Sequence, residues 1–225
     1  MPAIFITGSG TGVGKTFVMR GLIAYFRSAG RPVDALKPII SGFEPAAPLE
    51  SDTAHIIAAL GRSVTADEIK RISPWRFRAP LSPDMAARAE GRTIDFETVT
   101  GFCRAAIAAT SGTLLIEGIG GIMVPIGPRQ TVLDWVAALR QPLILVGGSY
   151  LGTISHVLSA QDVLLRRGLD LRGVVISESE GTPPPLYEVL TTMRNFVSLP
   201  LIGLPRQAAD GELSKAFQCL AELFA

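Results

Sequence analysis

Short apolar runs that end in glycine or polar side chains govern what this chain can fold into. Ala3-Ile4-Phe5-Ile6, Thr113-Leu114-Leu115-Ile116, Leu143-Ile144-Leu145-Val146 and Gly173-Val174-Val175-Ile176 are each about one strand long and apolar on both alternating faces. That is the pattern of a strand covered by helices on both sides, as in a parallel sheet. Residues 33–36 and 201–202 read as two further strands. Between the runs, apolar residues recur at helical spacing over 16–29 (stopped by Gly30), 85–90, 96–109, 153–167, 186–196 and 213–224. A further helix runs to Leu60, with either Ser51 or Asp52 able to cap its start. Residues 67–83, rich in Pro, Arg and aromatics, read as an irregular connection. The expected fold is one doubly wound α/β domain over residues 1–225, with a mostly parallel central sheet flanked by helices.

Composition narrows the function classes. Of 225 residues, 48 % are hydrophobic and 18 % charged, which excludes a disordered chain. The net charge of +1, with no block of like charges, argues against binding nucleic acid through counterion release. No apolar stretch reaches the ~20 residues of a membrane span, and the N-terminus lacks the basic start of a signal peptide, so a cytoplasmic, membrane-free protein is expected. Cys103 and Cys219 are too few and too far apart for a disulfide framework or a zinc cluster. They read as buried structural residues in a reducing compartment.

In doubly wound sheets ligands bind beyond the carboxyl ends of the strands. Those ends here carry residues 8–16, 37–41, 117–121, 147–153 and Ser177-Glu178, all glycine-rich or polar. The first, Gly8-Ser9-Gly10-Thr11-Gly12-Val13-Gly14-Lys15-Thr16, joins a strand to a helix. Glycines let successive N–H groups curl toward an anion, and the helix start adds its dipole. Lys15 would reach outer phosphates and the Thr16 hydroxyl would bind Mg²⁺. The strict phosphate-loop spacing puts glycine five residues before Gly14, where this chain has Ser9. Glu117 ends an apolar strand, as a metal-binding carboxylate or as a cap or surface ion pair; for Asp52, capping alone is the simpler reading. Lys37, at a strand end before Pro38, is either a second cation on a phosphoryl group or an ordinary solvated end. His55 and His156 read as packing or helix-start hydrogen-bonding residues, and Trp75 and Trp135 as core or cover residues.

In order along the chain, Thr7-Gly8-Ser9-Gly10-Thr11-Gly12-Val13-Gly14-Lys15-Thr16, Lys37-Pro38-Ile39-Ile40-Ser41-Gly42, Glu117-Gly118-Ile119-Gly120-Gly121 and Leu151-Gly152-Thr153-Ile154-Ser155-His156 resemble the four motifs of the dethiobiotin synthetase family of P-loop NTPases. The resemblance implies Mg-ATP-dependent closure of a cyclic urea from CO2 and 7,8-diaminononanoate, in biotin biosynthesis. It implies that Thr16, Asp52 and Glu117 hold Mg²⁺, that Lys15 and Lys37 neutralise the transferring phosphoryl group, and that Thr11 and Ser41 contact the carbamate. Nucleotide contacts would come from Gly12, Val13, Gly14, Lys15, Thr16, Gly118, Gly120, Ser177, Glu178, Leu204, Pro205 and Arg206. The substrate carboxylate would lie at Leu151, Gly152, Thr153, Ile154 and Ser155, in a pocket at a homodimer interface. Three departures stand out: Ser177 replaces the asparagine with which the family reads the adenine edge, Ser155 stands where asparagine is common at a minor substrate contact, and Gly10 replaces an acidic residue of the loop. Two rivals remain. One is a cobyrinate-type P-loop ligase, which would append a glutaminase domain not expected in 225 residues. The other is a partitioning-type ATPase switch, whose extra early lysine is missing from residues 8–12.

Overall fold

Alternation along the buried strands divides the core in two. The computed structural model describes residues 3–181, 184–207 and 210–224. Its main sheet has six parallel strands in the order β2 (Val33–Leu36), β5 (Thr113–Glu117), β1 (Ile4–Gly8), β6 (Leu143–Gly148), β7 (Leu171–Ser177) and β8 (Leu201–Leu204). On β1, Phe5 faces one apolar layer, while Ile4 and Ile6 face the other. The first layer holds Trp135, whose ring meets Phe5 edge-on at 5.2 Å. The second holds Val18, Leu22, Ile23 and Phe26 of α1 (Lys15–Ser28), together with Ile56 and Ile57 of α2 (Asp52–Ala59).

The chain passes from β1 through α1 to β2 at one edge, then later from β5 to β6 on the opposite side of β1. This reversal opens a crevice at the carboxyl ends of β1, β5 and β6. Backbone hydrogen bonds tie the rim together: Gly118 N–H donates to Ile6 O at 2.9 Å, Ser9 N–H to Val146 O at 2.9 Å, and Ile122 N–H to Gly8 O at 3.1 Å.

Residues 67–83 are more ordered than their composition suggests. They contain most of α3 (Ala66–Ile72), all of β4 (Trp75–Phe77) and the first residue of α4 (Pro83–Ala89). β4 pairs in parallel with β3 (Ile39–Ser41), and this two-stranded sheet props up the segment after Lys37. Such a pairing forms between segments about 35 residues apart, so neither strand carries a local signal. α5 (Phe96–Ala109) keeps the expected bounds, whereas α6 (Val132–Leu139) was not foreseen. Its signal was present in the reciprocal Thr131/Asp134 capping box before an apolar run. α7 (Thr153–Arg166) and α8 (Leu186–Met193) complete the flanking layers. No described helix is long and apolar enough to cross a membrane.

α9 (Asp210–Glu222) lies on α1 and β8. Gly21 is where the helices meet: a Cβ there would lie 1.9 Å from the Phe217 ring. Alanine would gain about 1 kcal/mol of helix propensity, but overpacking typically costs about 1–3 kcal/mol. Gly21→Ala is therefore expected to lower the urea midpoint, and a raised midpoint would show that Phe217 swings aside freely.

The cysteines correct one expectation. Cys103 is fully buried, but Cys219 is exposed on α9. Burial pushes the Cys103 thiol up to about 12, and the thiolate is the reactive form. Iodoacetamide at pH 8 should alkylate one thiol per native chain, Cys219, with the second reacting only on unfolding. Two equivalents in the folded protein would contradict this.

Candidate active site

The glycine loop crosses the carboxyl end of β1 and enters α1 through Gly14, whose φ of 94° a side chain would strain. A Cβ at Gly14 would also lie 2.6 Å from Ser177 Oγ, so the loop and the end of β7 approach as closely as glycine permits.

Residues scattered from 11 to 120 in the sequence meet around one cavity of about 300 Å³. It is lined by Thr11, Gly12, Gly14, Lys15, Thr16, Lys37, Ser41, Asp52, Glu117, Gly118 and Gly120, with Phe17, Ile40 and Ile119 supplying apolar wall. Lys37 is the hub. Its ammonium donates to Glu117 Oε1 at 2.8 Å and to Thr16 Oγ1 at 3.2 Å, and it pairs with Asp52 Oδ2. Thr16 Oγ1 in turn donates to Glu117 Oε1 at 2.8 Å. Asp52 does not cap α2; the Ser51 side chain does, accepting from Ala54 N–H at 3.1 Å, which frees Asp52 to face the cavity. Lys15 points elsewhere, donating to Gly10 O at 2.7 Å.

These positions shift the charges. Burial alone would push the Lys37 ammonium down, but Glu117 and then Asp52 outweigh it and hold its pKa above the ordinary lysine value. Burial would likewise push Asp52 up, and Lys37 overrides it, holding the carboxyl below its usual range. Lys15 is not rescued in the same way: burial pushes it down to about 8 against the pull of Glu117. Glu117 is fully buried, and its Oε2 has no hydrogen-bond partner. A buried carboxylate oxygen without a donor is costly. Three oxygen side chains, one with a spare lone-pair face, form a donor set suited to a hard divalent cation.

A second cavity of about 310 Å³ adjoins the first across Gly12, Gly14 and Phe17. It is lined by Val13, Ser177, Glu178 and Arg206, and by Ser179 and Glu180, which sequence reading missed. Leu204 is buried and accepts from Glu178 N–H at 2.9 Å, so it contributes backbone while Pro205 leads the chain to Arg206. Arg206 N–H donates to Glu178 Oε2 at 2.8 Å, and its guanidinium pairs with Glu180.

Leu151, Gly152, Thr153, Ile154 and Ser155 line neither cavity. Gly152 caps α7, Leu151 is 92 % exposed, and the buried Thr153 hydroxyl is spent on Gly148 O. Beside them runs a groove of about 530 Å³ between the loop and α7. Ser9, Gly10 and Thr11 form one wall, Ile122, Met123, Val124 and Pro125 another, and His156 a third. His156 is exposed rather than packed; its Nδ1 lies 2.9 Å from the Tyr150 hydroxyl. Thr11 belongs to both this groove and the Lys37 cavity.

A parallel α/β sheet with a glycine-rich loop, lysine and threonine at the first strand's carboxyl end defines a P-loop nucleotide-binding protein. A family model described as an AAA domain matches residues 2–208. Among solved structures, the MinD cell division protein of Aquifex aeolicus aligns with TM-score 0.59 at 12 % identity, covering 99 % of this chain and 97 % of that one. The septum site-determining protein MinD of Pyrococcus horikoshii, complexed with Mg-ADP, gives 0.56 at 14 %, covering 100 % and 97 %. That likeness carries the fold alone. In sequence, the ATP-dependent dethiobiotin synthetase BioD of Methylobacterium nodulans is 46 % identical over 93 % of this chain and 98 % of its own length. The enzyme of that name from Acidiphilium cryptum is 46 % identical over 83 % and 84 %. The chain belongs to the ATP-dependent dethiobiotin synthetase family.

Proposed function

We propose that the chain closes the ureido ring of dethiobiotin from 7,8-diaminononanoate, CO2 and ATP. The observation that carries the reading is the convergence of Lys15, Thr16, Lys37, Asp52 and Glu117 on one cavity that shares Thr11 with an apolar groove. One amine adds to CO2 and loses a proton, giving a carbamate. The carbamate oxygen attacks the γ-phosphorus of ATP and ADP leaves. The second amine then attacks the carbamoyl carbon, phosphate departs with the C–O electron pair, a proton is released, and the ring closes.

Carbamate and triphosphate repel one another, so positive charge must lie between them. Lys37, buried at the end of β2 and braced by the β3–β4 pair, is placed to supply it as the phosphoryl group transfers. Lys15 and the loop N–H groups would hold the outer phosphates, and Thr11 and Ser41 the carbamate. Thr16, Asp52 and Glu117 would hold Mg²⁺, which would neutralise phosphate oxygens in the ground and transition states. The groove walled by Ile122, Met123, Val124 and Pro125 suits the apolar chain of the diamine, with its carboxylate at the N–H groups of residues 151–155. Met123 is 60 % and Leu151 92 % exposed beside it, which supports a homodimer whose partner covers the groove. A cytoplasmic location is in keeping with two free thiols.

Ser177, Glu178 and Arg206 line the place expected for the base. The Glu178 carboxylate already accepts from Arg206 N–H, and one hydroxyl cannot reproduce the paired donor and acceptor of an asparagine amide. Turnover with ATP, CTP and GTP is expected to be comparable; strong selectivity for ATP would refute this reading of Ser177.

The function is tested by phosphate release from ATP with Mg²⁺ and bicarbonate, with and without 7,8-diaminononanoate, followed by mass detection of dethiobiotin. Release indifferent to the diamine would overturn the synthetase reading and leave a nucleotide-driven switch.

A further inference from the structure

The three side chains suited to a divalent cation are engaged by a cation of the chain itself. Lys37 Nζ bonds Glu117 Oε1 at 2.8 Å and Thr16 Oγ1 at 3.2 Å and pairs with Asp52. An ammonium has three protons to donate, and here each has an oxygen, so Lys37 is satisfied where it stands. A divalent cation on this triad would need Thr16 Oγ1, which Lys37 holds, and one oxygen of each carboxylate at about 2.1 Å for Mg²⁺; even on the unpartnered Glu117 Oε2 it would sit directly beside the ammonium. Two positive charges so close repel, and the repulsion is poorly screened on the inner side, where the Lys37 side chain is 7 % and the Glu117 side chain 1 % exposed, while Asp52, at 47 %, forms the open side. Lys15 does not compete for that donor set, because its ammonium is held on the Gly10 carbonyl.

We propose that Lys37 is an exchangeable cation that a divalent metal must displace, so that nucleotide-free protein resists metal and the metal enters together with phosphates. The inference rests on Thr16, Asp52 and Glu117 being the metal ligands, as read above. Phosphate oxygens supply what the displacement needs: alternative acceptors for the evicted ammonium, on the same side of the cavity as the glycine loop. Metal alone offers Lys37 nothing in return, and the ammonium would be left buried and repelled. The exchange also hands Lys37 to the phosphoryl group at the moment the nucleotide is complete.

The test is Mn²⁺ binding to the full-length nucleotide-free protein, followed by electron paramagnetic resonance. Lys37→Met and Lys37→Gln remove the competing charge and leave the oxygens, so each should bind Mn²⁺ at least tenfold more tightly than wild type. Adding Glu117→Gln to Lys37→Met should abolish the gain. Equal or weaker binding in folded Lys37 variants, or a gain that survives Glu117→Gln, would overturn the exchange. A second measurement needs no variant. In ¹⁵N-lysine-labelled wild type, the Lys37 ammonium signal should be unmoved by millimolar Mg²⁺ and should shift when inorganic tripolyphosphate joins it. Displacement by Mg²⁺ alone at or below millimolar concentration would equally sink the idea. Neither assay contains diamine or CO2, so tightened Mn²⁺ binding without diamine-dependent phosphate release would reject the synthetase reading and leave the exchange standing.

Discussion

Lys37→Ala is expected to lower diamine-dependent phosphate release by about 10²–10³-fold or more, the range seen when one preorganised transition-state donor is lost. On the proposed reading the loss should fall chiefly on kcat, because Lys37, already on the phosphates in the ground state, would bind them more strongly as their charge redistributes, whereas nucleotide binding would be shared with the glycine loop and Lys15. Removal of the ammonium also leaves fully buried Glu117 facing Asp52 with no cation between them. Breaking a buried pair on one side costs about 3–5 kcal/mol. Thermal unfolding must therefore accompany the kinetics, and Lys37→Met, which fills the stem's volume, separates lost charge from lost packing. A folded Lys37→Ala protein with near wild-type kcat would remove Lys37 from the chemistry.

Gly14→Ala is expected to weaken nucleotide binding about 10–10²-fold, through two costs that add. The φ of 94° strains any residue with a Cβ by about 1–2 kcal/mol. The new methyl would lie 2.6 Å from Ser177 Oγ and 2.7 Å from its Cβ, so loop and strand must part. Parting them would re-aim the N–H groups of the glycine loop and widen the cleft between the loop and β7, the places proposed above for the phosphates and the base. Calorimetric titration with a non-hydrolysable ATP analogue measures the effect. An unchanged Kd would mean that the loop absorbs the methyl elsewhere. The parallel Gly14→Ala/Ser177→Gly protein should recover part of the loss if the clash contributes.

The strands were legible because helices cover both faces, which turns them into continuous apolar runs; Ile4, Phe5 and Ile6 needed no partner to be recognised. Their polar ends were legible for the same reason, since a run that stops abruptly marks a strand's mouth. What spacing could not show is that Lys37, Asp52 and Glu117 share one point. Asp52 illustrates the gap: beside Ser51 at a helix start it looked like a cap, and only the Ser51–Ala54 hydrogen bond shows that the cap is Ser51. β3 and β4 were missed because a three-residue parallel pair depends on tertiary contact rather than on local propensity. α6 carries its signal in Thr131 and Asp134, a capping box at the head of a short apolar run that by length alone reads as neither helix nor strand. Cys219 was misplaced because cysteine is buried by habit, and α9 turns that position outward.

The strand order carries a consequence for how the molecule is made. β1 precedes every other strand of the main sheet in the chain but sits in its middle, between β5 and β6. Both of its neighbours lie more than 100 residues downstream, so the glycine loop emerges from a ribosome long before either strand that flanks it. A nascent chain ending before Thr113 has neither flank of β1, and one ending before Leu143 has a single flank. The glycine loop is thus translated well before both strands that frame it, and it takes its final shape only once β5 and β6 have docked.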